Sequence, residues 1–84
     1  MRSFLVESYV ARLPATDVRT LAALAEAGAA VGVRSGIPVR HVRSFLAPDD
    51  DMCFHVFQAP SLDAIERMTL LANLDHERIT EVIE

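Results

Sequence analysis

Hydrophobic and polar residues follow two different periods along this chain, and the periods predict its strands and helices. Alternating segments with β-branched and aromatic residues occupy residues 3–10, 39–47 and 52–59, and a shorter one occupies residues 79–83. Between residues 18 and 33, apolar and small residues recur at helical spacing. A second helical pattern follows Pro60-Ser61. The chain therefore predicts four strands and two helices.

Polar residues and prolines mark the predicted ends of these elements. Pro14 ends the first extended segment, Thr16 is the predicted N-cap of the first helix, and Asp17 suits the positive end of its dipole. Ser61 is the predicted N-cap of the second helix, which stops near Asn73. The order of elements is βαββαβ, which is typical of an α+β ferredoxin-like fold. We expect one domain over residues 1–84, with a four-stranded antiparallel sheet and two helices on one of its faces.

Alternation also assigns side chains to the two faces of the sheet. The more apolar set is expected to meet the helices: Phe4, Val6, Val10, Val42, Leu46, Phe54 and Val56. The other set is expected on the face that no helix covers: Leu5, Glu7, Tyr9, Val39, His41, Arg43, Phe45, Cys53, His55 and Phe57. This second set mixes large apolar groups with ionisable ones, which suits neither a plain core nor a water-exposed surface.

A second copy of the chain is the expected cover for that face. A domain of 84 residues buries only about 60 to 65% of its unfolded surface, so it gains from association. Two sheets packed face to face about a two-fold axis would form a homodimer of the α/β-barrel type, with a partly polar cavity between them.

Composition excludes several partners and compartments. The net charge of −4 and the lack of a basic stripe argue against nucleic acid. No apolar segment approaches the roughly 20 residues that span a membrane. A single cysteine forms no internal disulfide, and the N-terminus does not resemble a secretion signal. We therefore expect a cytoplasmic protein with a reduced thiol.

The candidate chemistry lies on the predicted sheet. Cys53 and His55 are two residues apart on one strand, so both can reach one ion. His41 on the next strand and Glu7 on the first would complete the set, and His76 is a weaker candidate. Thiolate and imidazole suit nickel, zinc or copper, and a carboxylate fills out the shell.

Two other interpretations stay open for the same residues. In the first, Cys53 is a small buried hydrophobe, the two histidines hydrogen-bond across a dimer, and Glu7 pairs with Arg43. In the second, His and Glu7 form an acid–base pair of a cofactor-independent enzyme, or of a ligand-binding protein, that uses the cavity between two sheets. No nucleophile elbow, phosphate loop or cofactor fingerprint accompanies that set. The carboxylates of Asp49, Asp50 and Asp51 are interpreted as a solvated turn rather than a site for calcium or magnesium.

Three segments carry a family resemblance along nearly the whole chain: SFLVESYV, VRHVRSFLAPDDDMCFHVFQAPSLDAI and ERITEVIE. They resemble a small bacterial domain-of-unknown-function family typified by a nickel-binding protein of the actinobacterium Streptomyces. The resemblance implies a cytoplasmic ferredoxin-like homodimer that binds nickel, with Glu7 and Cys53 at positions where the family commonly has Glu and Cys. Many members have an aromatic residue in place of His41 and a histidine in place of Met68. The expected function is transition-metal binding, nickel first, by His41, His55, Cys53 and Glu7.

Overall fold

The computed structural model describes residues 1–13 and 15–84 and contains the expected four strands and two helices. The elements run in the order β1 Arg2–Tyr9, α1 Val18–Arg34, β2 Arg40–Ala47, β3 Met52–Ala59, α2 Leu62–Leu71 and β4 Arg78–Val82. The strands form one sheet in the order β2-β3-β1-β4, and all neighbouring strands are antiparallel. The predicted α+β ferredoxin-like fold is confirmed.

The helix N-termini confirm one predicted cap and correct the other. Ser61 caps α2, because its Oγ accepts a hydrogen bond from the Ala64 N–H at 3.2 Å. The prediction of Thr16 as the cap of α1 is wrong. The cap is Asp17, whose carboxylate accepts hydrogen bonds from the N–H of Thr20 at 3.0 Å and from its hydroxyl at 2.9 Å. The predicted end of the first extended segment at Pro14 lies outside the described residues.

The pairing of the central strands corrects the face assignment of β3. Directly opposite residues in an antiparallel pair point to the same face. Val6 pairs with His55, and Phe4 pairs with Phe57. Since Phe4, Val6 and Phe57 belong to the core that packs on the helices, His55 lies on the helix-covered face. The prediction that Cys53, His55 and Phe57 lie on the other face, and Phe54 and Val56 under the helices, is wrong.

A bulge in β2 places two polar residues on that same face. His41 pairs with Phe57, the register shifts between His41 and Arg43, and Ser44 then pairs with His55. A β-bulge inserts an extra residue and breaks the strict period of two. His41 and Ser44 are three residues apart and would face opposite ways in a regular strand, yet both lie on the helix-covered face. The prediction that His41 lies on the other face is therefore wrong, as is the same prediction for Val39, which belongs to the core.

The core joins the helix-covered face of the sheet to both helices. Its members are Phe4, Val6, Ala25, Ala29, Ile37, Val39, Phe57, Ala59, Ala64, Ile65 and Met68. The small residues of α1 allow a close approach to α2: a methyl group built on Gly28 would lie 3.3 Å from the Cβ of Ala72. The Ala- and Gly-rich half of α1 is therefore a packing surface. Within the described residues, no helix combines the length and apolar character needed to cross a bilayer.

The open face, which we define as the sheet face away from the helices, carries stacked aromatic rings and ion pairs. Phe45 stacks on Phe54 with ring centroids 5.1 Å apart. Glu7 pairs with Arg78 across β1 and β4, with Oε2 and Nε 2.8 Å apart. The apolar residues of this face include Leu5, Tyr9, Phe45, Ala47, Met52, Phe54, Val56 and Val82.

We expect Asp17, but not Thr16, to stabilise the folded chain by capping α1. Hydrogen bonds from Thr20 lower the pKa of the Asp17 carboxyl below its usual value, so the ionised cap stabilises the folded chain. This stabilisation is present above the unfolded-state pKa and is lost as the pH falls through the lowered folded-state pKa. Circular dichroism melts should show a lower Tm for Asp17→Ala at neutral pH, and convergence with wild type in strong acid.

The Thr16→Ala variant is the matched control, because Thr16 is also exposed and precedes the same helix. Its Tm should stay near the wild-type value at both pH values. A larger loss for Thr16→Ala than for Asp17→Ala would contradict the observed cap.

Candidate functional site

Four polar side chains of β2 and β3 form a hydrogen-bonded row, which we call the helix-face cluster: His41, Ser44, His55 and Cys53. The Ser44 Oγ lies 2.8 Å from His41 Nε2 and 2.6 Å from His55 Nδ1. On the far side of the same ring, His55 Nε2 lies 3.6 Å from Cys53 Sγ. The row thus runs from the half-buried His41 to the fully buried thiol of Cys53.

Two strands and the bulge determine this geometry. Cys53 and His55 are alternate residues of β3 and share a face, and Ser44 is the direct partner of His55 on β2. The bulge brings His41 to the same face, with its ring centroid 6.2 Å from that of His55. Phe57 contacts both imidazoles edge-on and closes the end of the row.

Ser44 links the tautomers of the two histidines. A hydroxyl has one proton to donate, so Ser44 donates to one imidazole and accepts from the other when both rings are neutral. When His55 donates from Nδ1 to Ser44, and Ser44 donates to His41, the lone pair of His55 Nε2 faces the Cys53 sulfur. Such orientation by an outer hydrogen bond is how proteins usually fix a metal-binding imidazole.

Burial keeps the helix-face cluster uncharged at neutral pH. Loss of solvent, and then the neighbouring His41, lower the pKa of His55 to about 4. Burial also lowers the pKa of His41 and raises that of the Cys53 thiol. A neutral imidazole is ready to coordinate, whereas the thiol must first lose its proton, so cation binding at Cys53 would release a proton.

The other predicted ligands lie elsewhere. Glu7 pairs with Phe54 on the open face, so the expectation that it shares a face with His41 and His55 is wrong. Its ion pair is with Arg78 rather than the expected Arg43, which instead pairs with Glu84 at 2.8 Å.

The remaining candidate and the acidic loop are not part of the helix-face cluster. His76 is half-buried in the segment between α2 and β4, where its Nδ1 lies 3.0 Å from the Leu74 carbonyl oxygen. The three aspartates at the β2–β3 connection are exposed, as expected of a solvated turn. Among residues 1–13 and 15–84, no three His, Cys, Asp or Glu side chains converge as a preformed metal site would.

Sequence reasoning missed Ser44, the residue that joins the two histidines. Serine is not a typical metal ligand, so the search for ligands passed over it. Simple alternation along β2 also places Ser44 on the other face of the sheet from His41. The useful signal would have been the single imidazole of His55 among the apolar residues of β3, since a buried imidazole requires a hydrogen-bond partner, for example on a neighbouring strand.

The buried imidazole predicts acid-sensitive folding of the metal-free protein. His55 has a pKa of about 4 when folded and about 6.5 when unfolded, so the unfolded chain takes up the proton first. Its stabilising effect is complete above pH 6.5 and is lost as the pH falls toward 4. The free energy of unfolding should drop by about 3 kcal/mol over this interval because of His55. Urea titrations of wild type and His55→Gln should show that difference in pH dependence. Parallel curves would contradict the buried neutral state.

The chain was compared with protein-family models, with curated proteins and with solved structures. A family model described as nickel responsive protein SCO4226-like matches residues 4–82. Searches of the curated proteins and of the solved structures returned no match. The matched range extends from the first buried residue of β1 to the end of β4, and it contains both helices and the whole helix-face cluster. The chain therefore belongs to the SCO4226-like family of nickel responsive proteins.

Proposed function

We propose that this protein binds nickel ions, with Cys53 and His55 as the principal ligands. The observation that carries the proposal is the 3.6 Å separation between Cys53 Sγ and His55 Nε2 on one face of β3. Both atoms can approach one ion with only a small adjustment, because a metal–sulfur bond is about 2.3 Å long and a metal–imidazole bond about 2.0 to 2.1 Å. Membership in a nickel responsive family supports the choice of ion.

The donor set fits a borderline transition metal. Imidazole suits nickel, zinc and copper, and thiolate favours the softer members of that group, so calcium and magnesium are poor candidates. His41 is the third candidate ligand. Its Nε2 now contacts Ser44, and it could coordinate only after leaving that hydrogen bond. Glu7 is not in the proposed set because it lies on the open face in an ion pair with Arg78.

The enzyme alternative has less support. It requires imidazoles on the wall of a cavity between two sheets, and His41 and His55 lie on the helix-covered face instead. Nickel binding requires no cavity between two sheets, so His55 and Cys53 can serve as ligands on the helix-covered face. The geometry therefore favours nickel binding over the enzyme alternative.

Calorimetric titration of metal-free protein with nickel near neutral pH tests the proposed ligands. We expect saturable binding to wild type and a loss of more than about 100-fold in affinity for Cys53→Ser and for His55→Ala, since each removes a ligand. Ser44→Ala should lose roughly 10- to 100-fold because the His55 ring is no longer oriented. A sulfur-to-nickel charge-transfer band in wild type, absent from Cys53→Ser, provides a second measurement.

Glu7→Gln and His76→Ala are the controls, because they remove the two sequence-predicted ligands that lie outside the helix-face cluster. Both should bind nickel as wild type does. Circular dichroism establishes that each variant is folded. Failure of wild type to bind nickel, or unchanged binding by Cys53→Ser, would overturn the proposal.

We further propose that the open face forms a homodimer. Phe45 is 45% exposed and stacks on Phe54, and the half-buried Leu5 beside Val56, which is only 4% exposed, extends this apolar centre of the open face. Ion pairs flank that centre, Glu7 with Arg78 and Arg43 with Glu84. An apolar centre with a polar rim is the usual anatomy of a protein interface.

Analytical ultracentrifugation of Phe45→Glu tests the homodimer. A carboxylate at the centre of two stacked sheets would be buried without a partner, so the variant should sediment as a monomer while wild type sediments as a dimer. Leu62→Glu is the matched control: Leu62 is 44% exposed but lies on α2, on the far side of the sheet. A monomeric wild type, or dimers of Phe45→Glu, would refute the arrangement.

A further inference from the structure

A cavity of about 940 Å³ lies between α1, α2 and the segment that joins α2 to β4. Its volume is within the roughly 300 to 1,000 Å³ typical of small-molecule sites. Its apolar walls are formed by Leu13, Leu21, Leu24, Val31, Leu70 and Leu74. The cavity is open to solvent on one side, where Leu70 is largely exposed. It lies on the opposite side of the sheet from the proposed dimer face.

Small residues line this cavity where α1 approaches the end of α2. Ala27 and Gly28 of α1 line the cavity together with Ala72 at the end of α2. Gly28 and Ala72 are closely packed, since a methyl group on Gly28 would lie 3.3 Å from the Cβ of Ala72, whereas Ala27 is exposed at the cavity. Leu24 and Leu70 are 40% and 82% exposed, and an apolar ligand could cover their hydrocarbon surface.

Among the charged side chains that line the cavity, carboxylates outnumber guanidinium groups. Glu66 and Asp75 contribute two carboxylates, and neither forms an ion pair within residues 1–13 and 15–84. The guanidinium of Arg12 also lines the cavity, but Glu77 already pairs with it. Thr69 and His55 are buried in the wall, and Asn73 and His76 also line the cavity. The unbalanced charge at the cavity is therefore negative.

We propose that this cavity binds a small organic cation, an ammonium group attached to a hydrocarbon body. The body would lie along the leucines of α1 and α2, and the ammonium would lie near Glu66 and Asp75. The carboxylates disfavour an anionic ligand through like-charge repulsion, and a neutral ligand lacks the favourable pairing. This site goes beyond nickel binding and does not depend on it.

Three six-carbon probes that differ only in the head group test the class of ligand: hexylamine, hexan-1-ol and hexanoate. They are titrated into metal-free, full-length protein at neutral pH and followed by ¹H–¹⁵N correlation spectra. Hexylamine should shift the amides of Leu24, Thr69 and Leu70 saturably. It should bind roughly 2- to 10-fold more tightly than hexan-1-ol, the effect of one or two exposed ion pairs, and hexanoate should bind most weakly. Glu66→Gln should reduce the preference for hexylamine over hexan-1-ol.

Matched tryptophan variants of α1 test the location. Ala27→Trp fills the cavity from an exposed lining position and should abolish the shifts. Ala30→Trp adds the same side chain at an exposed position of α1 outside the lining and should bind hexylamine as wild type does. Hexanoate binding as tightly as hexylamine, no saturable shift with hexylamine, or unchanged binding by Ala27→Trp would each overturn the proposal. Nickel titration of the same variants is a separate measurement, so failure of one proposal leaves the other standing.

Discussion

The pairing of Val6 with His55 is the constraint on which the site depends. β3 is hydrogen-bonded on both sides, to β1 and to β2, so its register is fixed twice. A slip of one residue would transfer every side chain of β3 to the other face. It would move Phe57 out of the core, at a cost comparable to losing a buried aromatic side chain, about 3 to 5 kcal/mol. The same packing that holds Phe57 inside therefore holds His55 and Cys53 inside.

Burial of an imidazole requires a partner, and Ser44 satisfies that requirement. An unsatisfied buried polar group costs about 1 to 3 kcal/mol. No buried side-chain nitrogen or oxygen of the described residues lacks a hydrogen bond. The bulge in β2 is what allows both His41 and Ser44 to reach the row. A regular β2 would leave one of the two outside it, so the irregularity in the strand and the polar row are parts of one arrangement.

The sequence was sufficient for the order of elements and insufficient for the faces of the sheet. Alternation and turn residues predicted βαββαβ, and the bounds of β3 were correct, because strands between clear turn signals are well marked. Alternation did not predict which residues of β3 face the helices. Phe54 and Val56 on one face are as apolar as Cys53 and Phe57 on the other, so hydrophobicity does not distinguish the two. The pairing with β1 determines which side chains of β3 face the helices. The sequence of one strand does not specify the residues with which it pairs. The bulge is a similar case, since nothing at His41–Arg43 marks an inserted residue.

Burial, rather than the face of the sheet, separates the uncharged polar groups from the charged ones. Ion pairs lie where solvent reaches them: those of Glu7 and Glu84 on the open face, and that of Arg2 with Glu81 on the other face, outside the core. The buried part of the helix-covered face has only donors that are uncharged at neutral pH, imidazoles, a hydroxyl and a thiol, because an ionised group there would lose its hydration. A soft or borderline metal ion is the cation that such donors can bind, since imidazole coordinates without losing a proton and the thiol loses only one. Burial that excludes charged side chains thus also selects against hard cations, and this argument for nickel-type chemistry is independent of family membership.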